Sequence, residues 1–356
     1  MEETMKFIHI ADVHLNRMPE EQSGLGAIRK QEIQDTFDQV LIEAKKEKVD
    51  FILIAGDLYD RPPMMEELKE LNARFAQLAP IKVVLIAGNH DFVEENSPYE
   101  RFSFAENVIF LKGEQMDSYF VKEHQTTFWG FSYHKKEIKE ALYDKIEPIA
   151  KERDDYHILL AHGGDERHIP IDYERLKWKG FDYVALGHIH KPEEIVKDFM
   201  CYAGSLEPLD RTERGEHGYF LGEITEEKQL VTFVPMAKRA YEVVEVEVEE
   251  DESLYDLTAR IEDELIEGGR QNFYEIHLTG FTSLSKQLSF YSLEQKYFII
   301  DILDETKKGY DENELYEENR GNILGFFIEE MKGLTDPCKE EALSMGIEAL
   351  LATKAE

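Results

Sequence analysis

Short apolar runs alternate with polar, helix-like stretches between residues 6 and 235, and this alternation constrains the fold more than any other feature of the chain. A run of about five apolar and β-branched residues is typical of a strand buried on both faces. Between the first two runs, Ile33, Phe37 and Val40 mark one face of a helix at 3.6-residue spacing. The pattern predicts a layered α/β fold. The predicted strands are 6–10, 51–55, 81–87, 157–161 and 183–186.

The pattern changes after residue 197, where closely spaced strands replace the alternation. A second break follows Pro235, beyond which apolar and acidic residues alternate at period two. The later elements are predicted as strands at 200–203, 218–224, 230–235, 241–248 and 273–278, and as helices at 254–266, 313–331 and 337–351. We therefore expect a large α/β domain at 1–236, a small α+β module at 237–282 and a helical C-terminal region at 283–356.

The formal net charge of −34 is unusual for a protein that would hold nucleic acid, because such proteins usually carry a basic stripe. Solubility and solvated helix faces are the ordinary explanation. At 356 residues and 42% hydrophobic, the chain can bury a sizeable core. It has no apolar run near ~20 residues and no apolar signal core at its start, so we expect a cytoplasmic protein that does not enter a membrane.

Five short segments, each following a predicted strand, hold the oxygen and imidazole side chains that hard-to-intermediate divalent metals prefer. They are Asp12-Val13-His14, Gly56-Asp57, Gly88-Asn89-His90-Asp91, His162 and Gly187-His188-Ile189-His190. In a layered fold all five could converge at one edge of a sheet. Convergence would turn a scattered set of residues into the two-metal site of a phosphoesterase.

Asp57 is well placed to bridge two ions, since Gly56 permits a close approach of the backbone. His188 and His190 point the same way if this segment is extended, because side chains alternate along a strand. Each would then supply a different metal of a pair about 3.5 to 4 Å apart, a separation that polarises a phosphate and lowers the pKa of a bridging water.

His90 and Asp91 form the predicted catalytic pair. Neighbouring side chains in a loop need not reach the same atom, so Asn89 can bind metal while His90 faces the substrate. We assign His90 to the phosphate, where it would stabilise transition-state charge or protonate the leaving oxygen, and Asp91 to orienting its ring.

Several cationic side chains lie on or near the motif loops and are candidates for phosphate contacts. They are Arg17, Arg61, Lys191, Arg211 and Arg214. The alternative is ordinary ion pairing at the surface.

Together these motifs resemble those of the calcineurin-like metallophosphoesterase superfamily. Over roughly residues 5–280 the chain is similar to its SbcD-type branch of DNA repair exonucleases, to which the meiotic recombination nuclease is related. The branch resemblance rests on His9-Ile10-Ala11-Asp12-Val13-His14-Leu15, Leu186-Gly187-His188-Ile189-His190-Lys191-Pro192, Tyr202-Ala203-Gly204-Ser205-Leu206-Glu207 and Gly218-Tyr219-Phe220.

The resemblance implies a β-sandwich flanked by helices, a capping domain near 241–280, a catalytic role for His90, and two divalent ions, usually Mn²⁺, with Mg²⁺, Fe²⁺ and Zn²⁺ left open. The implied ligands are Asp12, His14, Asp57 and His190 for one ion, and Asp57, Asn89, His162 and His188 for the other. One departure is visible at Asp60, where archaeal and eukaryotic members carry a second histidine. Bacterial members resemble this chain there, so we expect a bacterial-type protein.

The leading hypothesis is a metal-dependent DNA nuclease, a 3′–5′ exonuclease and/or endonuclease, that uses two-metal in-line hydrolysis within an SbcCD-like repair complex. The implied partners are DNA, an SbcC-like coiled-coil ATPase and, as a homodimer, a second copy of the chain. The apolar stripes of the C-terminal helices have two explanations, packing on the capping domain or docking of that ATPase. One alternative keeps the metals but acts on nucleotides, cyclic nucleotides or phosphoproteins. A second alternative is a mainly structural subunit with weak activity.

Overall fold

Two six-stranded sheets form the first of the two units of this computed structural model. The structure describes residues 4–20, 24–149, 155–225, 227–249, 252–282, 289–308, 312–335 and 338–352. The first unit spans Met1–Tyr241 and the second spans Glu242–Glu356. The strands of the first unit are β1 (Met5–Ile10), β2 (Phe51–Ala55), β3 (Lys82–Ile86), β4 (Val108–Phe110), β5 (Asp117–Val121), β6 (Thr126–Gly130), β7 (Tyr156–His162), β8 (Tyr183–Gly187), β9 (Glu193–Val196), β10 (Met200–Tyr202), β11 (Gly218–Ile224) and β12 (Gln229–Pro235). Its helices are α1 (Gly26–Glu47), α2 (Met65–Ala76), α3 (Pro98–Arg101) and α4 (Tyr173–Leu176).

The strand order explains why the predicted motifs can meet. One sheet has the order β12-β11-β1-β2-β3-β4, in which β1 to β4 are parallel and β11 is antiparallel to both neighbours. The other has the order β5-β6-β7-β8-β10-β9, in which β6, β7, β8 and β10 are parallel and the two edge strands are antiparallel. Parallel strands bring their carboxyl ends to one edge, where ligands bind in open α/β sheets.

The two sheets pack face to face, and helices cover the outer face of the first sheet. Phe51 and Leu53 of β2 lie in a core with Leu160 of β7 between the sheets, whereas the alternate residue Ile52 packs with Phe37 of α1. Residues of β2 are buried on both faces, as the uninterrupted apolar run predicted. The predicted layered α/β fold, a β-sandwich flanked by helices, is confirmed.

The second unit has its own sheet and its own core. Val246, Leu257 and Ile276 are buried together in it. Its elements are β13 (Tyr241–Val248), α5 (Leu254–Gly268), β14 (Phe273–Thr282), α6 (Tyr291–Glu294), β15 (Phe298–Asp304), β16 (Lys307–Lys308), α7 (Glu312–Asn319), α8 (Ile323–Lys332) and α9 (Lys339–Ala352). Both β15 and β16 pair in parallel with β14, so the small α+β module does not end at residue 282 as the sequence suggested.

The C-terminal helices also differ from the prediction. The single helix predicted at 313–331 is wrong, since α7 ends at Asn319 and α8 begins at Ile323. Asn322 caps α8 by accepting hydrogen bonds from the N–H groups of Leu324 and Gly325, which explains the interruption. The predicted start of the last helix at Pro337 lies outside the described residues. Across the described ranges, no helix is long and apolar enough to cross a membrane.

Candidate metal centre

The five motif segments converge at the carboxyl ends of β1, β2, β3, β7 and β8. The side chains of Asp12, His14, Asp57, Asn89 and His162 are all buried there. Two further predicted ligands, from the loop after β8, are partly exposed: His188 and His190. The structure therefore brings all seven predicted metal ligands to one place.

The backbone of this region adopts an uncommon conformation at several of these residues. Asp12, His14 and Asp57 have φ of 49°, 50° and 49°, and His188 has φ of 101°. Such values cost of order 1–3 kcal/mol each in a residue with a side chain, and they cluster at functional sites. The conformation is held by hydrogen bonds from the Asp12 N–H to the Gly56 carbonyl (3.1 Å) and from the His14 N–H to the Asp57 carbonyl (3.1 Å).

The first group of ligand atoms surrounds His14 and His190. The two Nε2 atoms lie 3.2 Å apart. His14 Nε2 is 3.8 Å from Asp57 Oδ2, and His190 Nε2 is 3.9 Å from Asp12 Oδ1. Two carboxylates and two imidazoles thus face a common point.

The second group shares Asp57 with the first. His162 Nε2 lies 3.4 Å from Asp57 Oδ2 and 3.0 Å from Asn89 Oδ1. His188 Nδ1 is also 3.0 Å from Asn89 Oδ1. Asp57 therefore stands between two sets of donors, as the sequence interpretation proposed.

His188 and His190 reach different groups, but not by the route that the sequence suggested. β8 ends at Gly187, and the left-handed backbone at His188 breaks the extended geometry that was assumed. His188 therefore faces Asn89 through Nδ1, whereas His190 faces His14 through Nε2. The interpretation of an extended segment is wrong, although each histidine still serves a separate set.

Every imidazole of the two groups uses its other ring nitrogen to hydrogen-bond an acceptor outside the ligand sets. These pairs are His14 Nδ1 with Asp60 Oδ1 (3.2 Å), His190 Nδ1 with Glu213 Oε1 (2.6 Å), His162 Nδ1 with the Ala55 carbonyl (2.8 Å) and His188 Nε2 with Asp165 Oδ2 (2.7 Å). Since carboxylates and carbonyls only accept, these outer nitrogens carry the protons and each neutral ring turns a lone pair inward.

Lone pairs that face one another without a proton between them repel. A cation bound between them would remove this repulsion, so the arrangement suits metal ions. His14 Nε2 faces His190 Nε2, while the inward nitrogens of His162 and His188 face the Asn89 oxygen. The donor set holds only oxygen and imidazole nitrogen, which suits divalent metals such as Mn²⁺, Mg²⁺, Fe²⁺ and Zn²⁺. The residues present therefore fit a pair of divalent ions.

Without a metal, protons take the place of cations in this cluster. Burial has the largest single effect and would lower the pKa of His162, but the charge and hydrogen bond of Asp57, the charge of Asp12 and the hydrogen bond to the Ala55 carbonyl together raise that pKa to about 9. Burial likewise opposes a rise at His190, where the hydrogen bond to Glu213 and the charge of Asp12 raise the pKa to about 9. The charges of His162 and His14 in turn lower the pKa of Asp57 against the effect of its burial.

His90 lies at the edge of the cluster with 32% of its side chain exposed. Its backbone N–H donates to Asp57 Oδ1 (2.8 Å), and its ring Nδ1 lies 3.3 Å from the Asp60 carbonyl oxygen. The ring is therefore anchored by residue 60, and Nε2 is left for another contact.

Asp91 does not orient the His90 ring, and that part of the sequence interpretation is wrong. Its buried carboxylate accepts hydrogen bonds from the Gly88 N–H (2.8 Å), the Tyr59 N–H (3.2 Å) and the Tyr99 hydroxyl (3.1 Å). Burial and the charge of Asp57 raise the pKa of Asp91 to about 6. These hydrogen bonds join the loop after β3 to the loop after β2. Asp91 therefore fixes the two loops that carry Asn89 and Asp57 relative to each other.

The five cationic candidates differ in their surroundings. Arg17 is 3.1 Å from Asp60 Oδ1, and Arg61 is 2.7 Å from Glu67 Oε1, so both are paired with carboxylates. The remaining three are exposed side chains on the loops that follow β8 and β10: Lys191, Arg211 and Arg214.

Three carboxylates that hydrogen-bond the predicted ligand histidines were not assigned a role from the sequence. Asp60 was noted only as a departure from relatives, and Asp165 and Glu213 were not singled out. Asp165 also lies 2.9 Å from Nδ1 of His168. No local motif marks them, because each meets its histidine only through the folded loops.

The chain matches a family model described as calcineurin-like phosphoesterase over residues 5–192. It is 30% identical over 287 residues to the DNA double-strand break repair protein Mre11 of Methanocaldococcus jannaschii, covering 72% of this chain and 73% of that protein. It is 31% identical over 271 residues to the uncharacterized metallophosphoesterase YhaO of Bacillus subtilis, covering 68% of this chain and 64% of that protein.

A third relative aligns along almost the whole length of both proteins. The chain is 29% identical over 392 aligned positions to the SbcD component of the nuclease SbcCD of Staphylococcus epidermidis, covering 98% of each protein. The resemblance to the SbcD-type branch is therefore confirmed. The chain belongs to the calcineurin-like phosphoesterase family and is a hydrolase that acts on phosphoester bonds.

Proposed function

We propose that this chain is a metal-dependent DNA nuclease that cleaves phosphodiester bonds with two divalent ions as a subunit of an SbcCD-like repair complex. The observation that carries this proposal is the pair of donor groups that share Asp57, each with two inward-facing imidazole nitrogens. The choice of DNA rests on relatives named as a nuclease subunit and a double-strand break repair protein.

The geometry supports a specific division of the ligands. In this proposal one ion takes Asp12, His14, Asp57 and His190, and the other takes Asp57, Asn89, His162 and His188. Mn²⁺ is the proposed ion, since mixed carboxylate and imidazole donors suit it and none of the seven proposed ligands is a thiolate that would favour Zn²⁺. When bound, the two ions would polarise the phosphodiester and lower the pKa of a water placed between them.

His90 is the residue that we assign to the phosphate. Its Nδ1 proton is held by the Asp60 carbonyl, so a second proton on Nε2 would be the one offered to the substrate. Burial lowers the pKa of His90, so the free ring is mainly neutral at pH 7. An anionic phosphate favours the charged ring, and we propose that the Nε2 proton is taken up with the substrate and passes to the leaving oxygen.

The cationic side chains near the motif loops are proposed to contact the DNA backbone. Lys191 follows His190 directly and is exposed, as are Arg211 and Arg214. Arg17 and Arg61 would have to exchange their carboxylate partners for phosphate oxygens. Contacts of this kind position DNA without reading its sequence.

The charge of the chain suggests that it does not hold DNA alone. Residues 241–356 contain 29 acidic and 10 basic side chains, which disfavours tight binding of a polyanion there. We propose that an SbcC-like coiled-coil ATPase docks on the C-terminal helices and contributes much of the affinity for DNA. We further propose that both proteins act in the cytoplasm.

The same charge favours a second candidate function, hydrolysis of a small phosphodiester or nucleotide, which needs no extended basic surface. Comparing linear duplex DNA with a chromogenic bis-aryl phosphodiester in the presence of Mn²⁺ separates the two. A DNA nuclease should cleave duplex DNA with a rate that depends on length and ends, and Asp57→Asn and a chelator should both abolish cleavage. Efficient cleavage of the small ester without any cleavage of DNA would overturn the proposal in favour of the second candidate.

A further inference from the structure

Glu213 contacts the metal centre without belonging to either proposed ligand set. Its Oε1 lies 2.6 Å from His190 Nδ1, and only 11% of its side chain is exposed. Its Oε2 accepts hydrogen bonds from the Ser205 hydroxyl (2.9 Å) and from the Leu209 N–H (3.0 Å). Both carboxylate oxygens are therefore engaged, and Glu213 has one fixed orientation.

The Ser205 contact extends this arrangement into the protein interior. The buried ring of His217 places Nδ1 3.0 Å from the Ser205 hydroxyl and 3.0 Å from the Ser205 carbonyl. A chain of hydrogen bonds thus runs from His217 through Ser205 and Glu213 to His190. Such a chain limits rotation of every member, because each group has a fixed donor or acceptor role.

We propose that Glu213 is a positioning residue that fixes the ring and the tautomer of His190, so that its Nε2 lone pair faces Asp12 and His14. Carboxylates that hold the outer nitrogen of a metal-binding histidine raise its basicity and typically contribute 10–100-fold to metal affinity. The inference rests on the ligand assignment made under the proposed function. It predicts that Glu213 strengthens one metal site and not the other.

The contrast with Asp165 makes the effect specific to one site. Asp165 holds His188 through the opposite ring nitrogen, Nε2, at 2.7 Å, and 45% of its side chain is exposed. Water can replace an exposed carboxylate oxygen at little cost, but it cannot readily replace a buried one. Loss of Glu213 should therefore weaken its metal site more than loss of Asp165 weakens the other.

Glu213→Gln is an informative substitution because neither orientation of the amide can satisfy all the hydrogen-bond partners of Glu213 while His190 keeps its present tautomer. The Leu209 N–H needs an acceptor, which turns the amide NH₂ toward His190 Nδ1. That contact is satisfied only if Nδ1 loses its proton and Nε2 gains one, which removes the lone pair offered to the metal. The opposite orientation places the NH₂ against the Leu209 N–H.

The test is Mn²⁺ binding to the full chain, measured by calorimetric titration and by electron paramagnetic resonance. The wild-type protein should bind two Mn²⁺ ions and show the signal of a spin-coupled pair. For Glu213→Gln we expect one of the two sites to weaken by about 10–100-fold, with the coupled signal replaced by that of isolated Mn²⁺. Asp165→Asn should weaken binding less, and Glu216→Gln, the same charge change at a nearby exposed residue, should leave both sites unchanged.

The outcomes separate this inference from the proposed function. A wild-type chain that binds fewer than two Mn²⁺ ions overturns the two-metal assignment and this inference together. If the wild type binds two ions and Glu213→Gln binds them with unchanged affinity, the positioning role of Glu213 alone is wrong. Should Glu213→Gln fail to fold, Ser205→Ala, which frees one oxygen of Glu213 and keeps its charge, should still weaken one site by several-fold. Unchanged affinity in that variant would equally overturn the inference.

Discussion

At the scale of single residues, His90 is the side chain whose change should separate catalysis from metal binding. We expect His90→Asn to lower kcat on duplex DNA by about 10²–10⁴-fold, because it removes the proton offered through Nε2. Two Mn²⁺ ions should still bind, since His90 belongs to neither ligand set. The measurements are turnover with Mn²⁺ and metal content of the purified variant.

A matched control for this prediction lies in the second unit. His277 pairs with Glu275 at 2.8 Å and belongs to neither proposed ligand set, so His277→Asn removes an imidazole and keeps all seven proposed ligands. It should leave turnover unchanged. An unaltered rate in His90→Asn would contradict the assignment of His90 to the phosphate.

Asp91 illustrates what adjacency in the sequence cannot show. It follows His90 directly, yet its carboxylate turns toward the N–H groups of Gly88 and Tyr59. The residue that holds the His90 ring is Asp60, through its carbonyl oxygen, thirty positions away. The sequence could single out the predicted ligands because each motif segment lies at or just after the end of a predicted strand. The groups that orient these side chains depend instead on which loops meet after folding.

At the scale of elements, five strands of the first unit were predictable because they are buried on both faces, whereas β4, β5, β6 and β9 were not predicted. β2 was predicted with the observed ends, and β1, β3, β7 and β8 were predicted to within one residue at each end. An uninterrupted apolar run with polar neighbours leaves little freedom in where such a strand can begin or end.

The second unit was less predictable because its signals are weaker. β15, with the sequence Phe-Ile-Ile-Asp-Ile-Leu-Asp, is only partly buried and was missed. The break between α7 and α8 depends on one capping side chain, Asn322, within a pattern that otherwise continues at helical spacing. Single caps end helices without altering the apolar periodicity on which a helix prediction rests.

The turn after β3 gives the prediction that belongs to this scale. A Cβ on Gly88 would overlap Asp57 Oδ1 and lie 2.7 Å from His162 Nε2, so the two loops approach more closely than any side chain permits. We expect Gly88→Ala to displace the shared carboxylate and to reduce Mn²⁺ binding below two ions per chain, with loss of cleavage.

The matched control is Gly113→Ala. A Cβ on Gly113 would meet its nearest atom, the Gln115 carbonyl oxygen, at an ordinary 3.5 Å. This variant should bind two Mn²⁺ ions as the wild type does. Full metal binding by Gly88→Ala would show that the Asp57 carboxylate does not need the space that glycine leaves.

At the scale of the whole molecule, the net charge and the metal centre make opposite demands. A charge of −34 favours solubility and disfavours contact with DNA, while the two divalent ions of the proposed site would bring four positive charges to the place where a phosphate would bind. The chain therefore attracts phosphate locally and repels it elsewhere, which is consistent with a nuclease component that depends on a partner for its grip.

Metal removal should reverse the pH dependence of stability between about pH 6.5 and 9. In the metal-free fold the pKa values of His162 and His190 are raised from 6.5 to about 9. The folded state thus binds these protons more tightly than the unfolded chain, a contribution fully present below pH 6.5 and lost as the pH rises through 9. Asp57, whose pKa is lowered, stays ionised throughout this window and adds no slope.

With saturating Mn²⁺ the sign changes, because the ligand nitrogens must be free of the inward proton before a metal can bind. Metal affinity, and with it the stabilisation by binding, should increase with pH over the same window. We expect the difference in Tm between Mn²⁺-loaded and chelated protein to widen from pH 6.5 to 9, as measured by calorimetry at several pH values. Groups outside the centre titrate equally in both samples and cancel in this difference. Asp57→Asn, which removes the charge that raises the pKa of His162, should flatten it. Parallel Tm profiles for the loaded and chelated wild type would mean that these histidines do not exchange protons for metal.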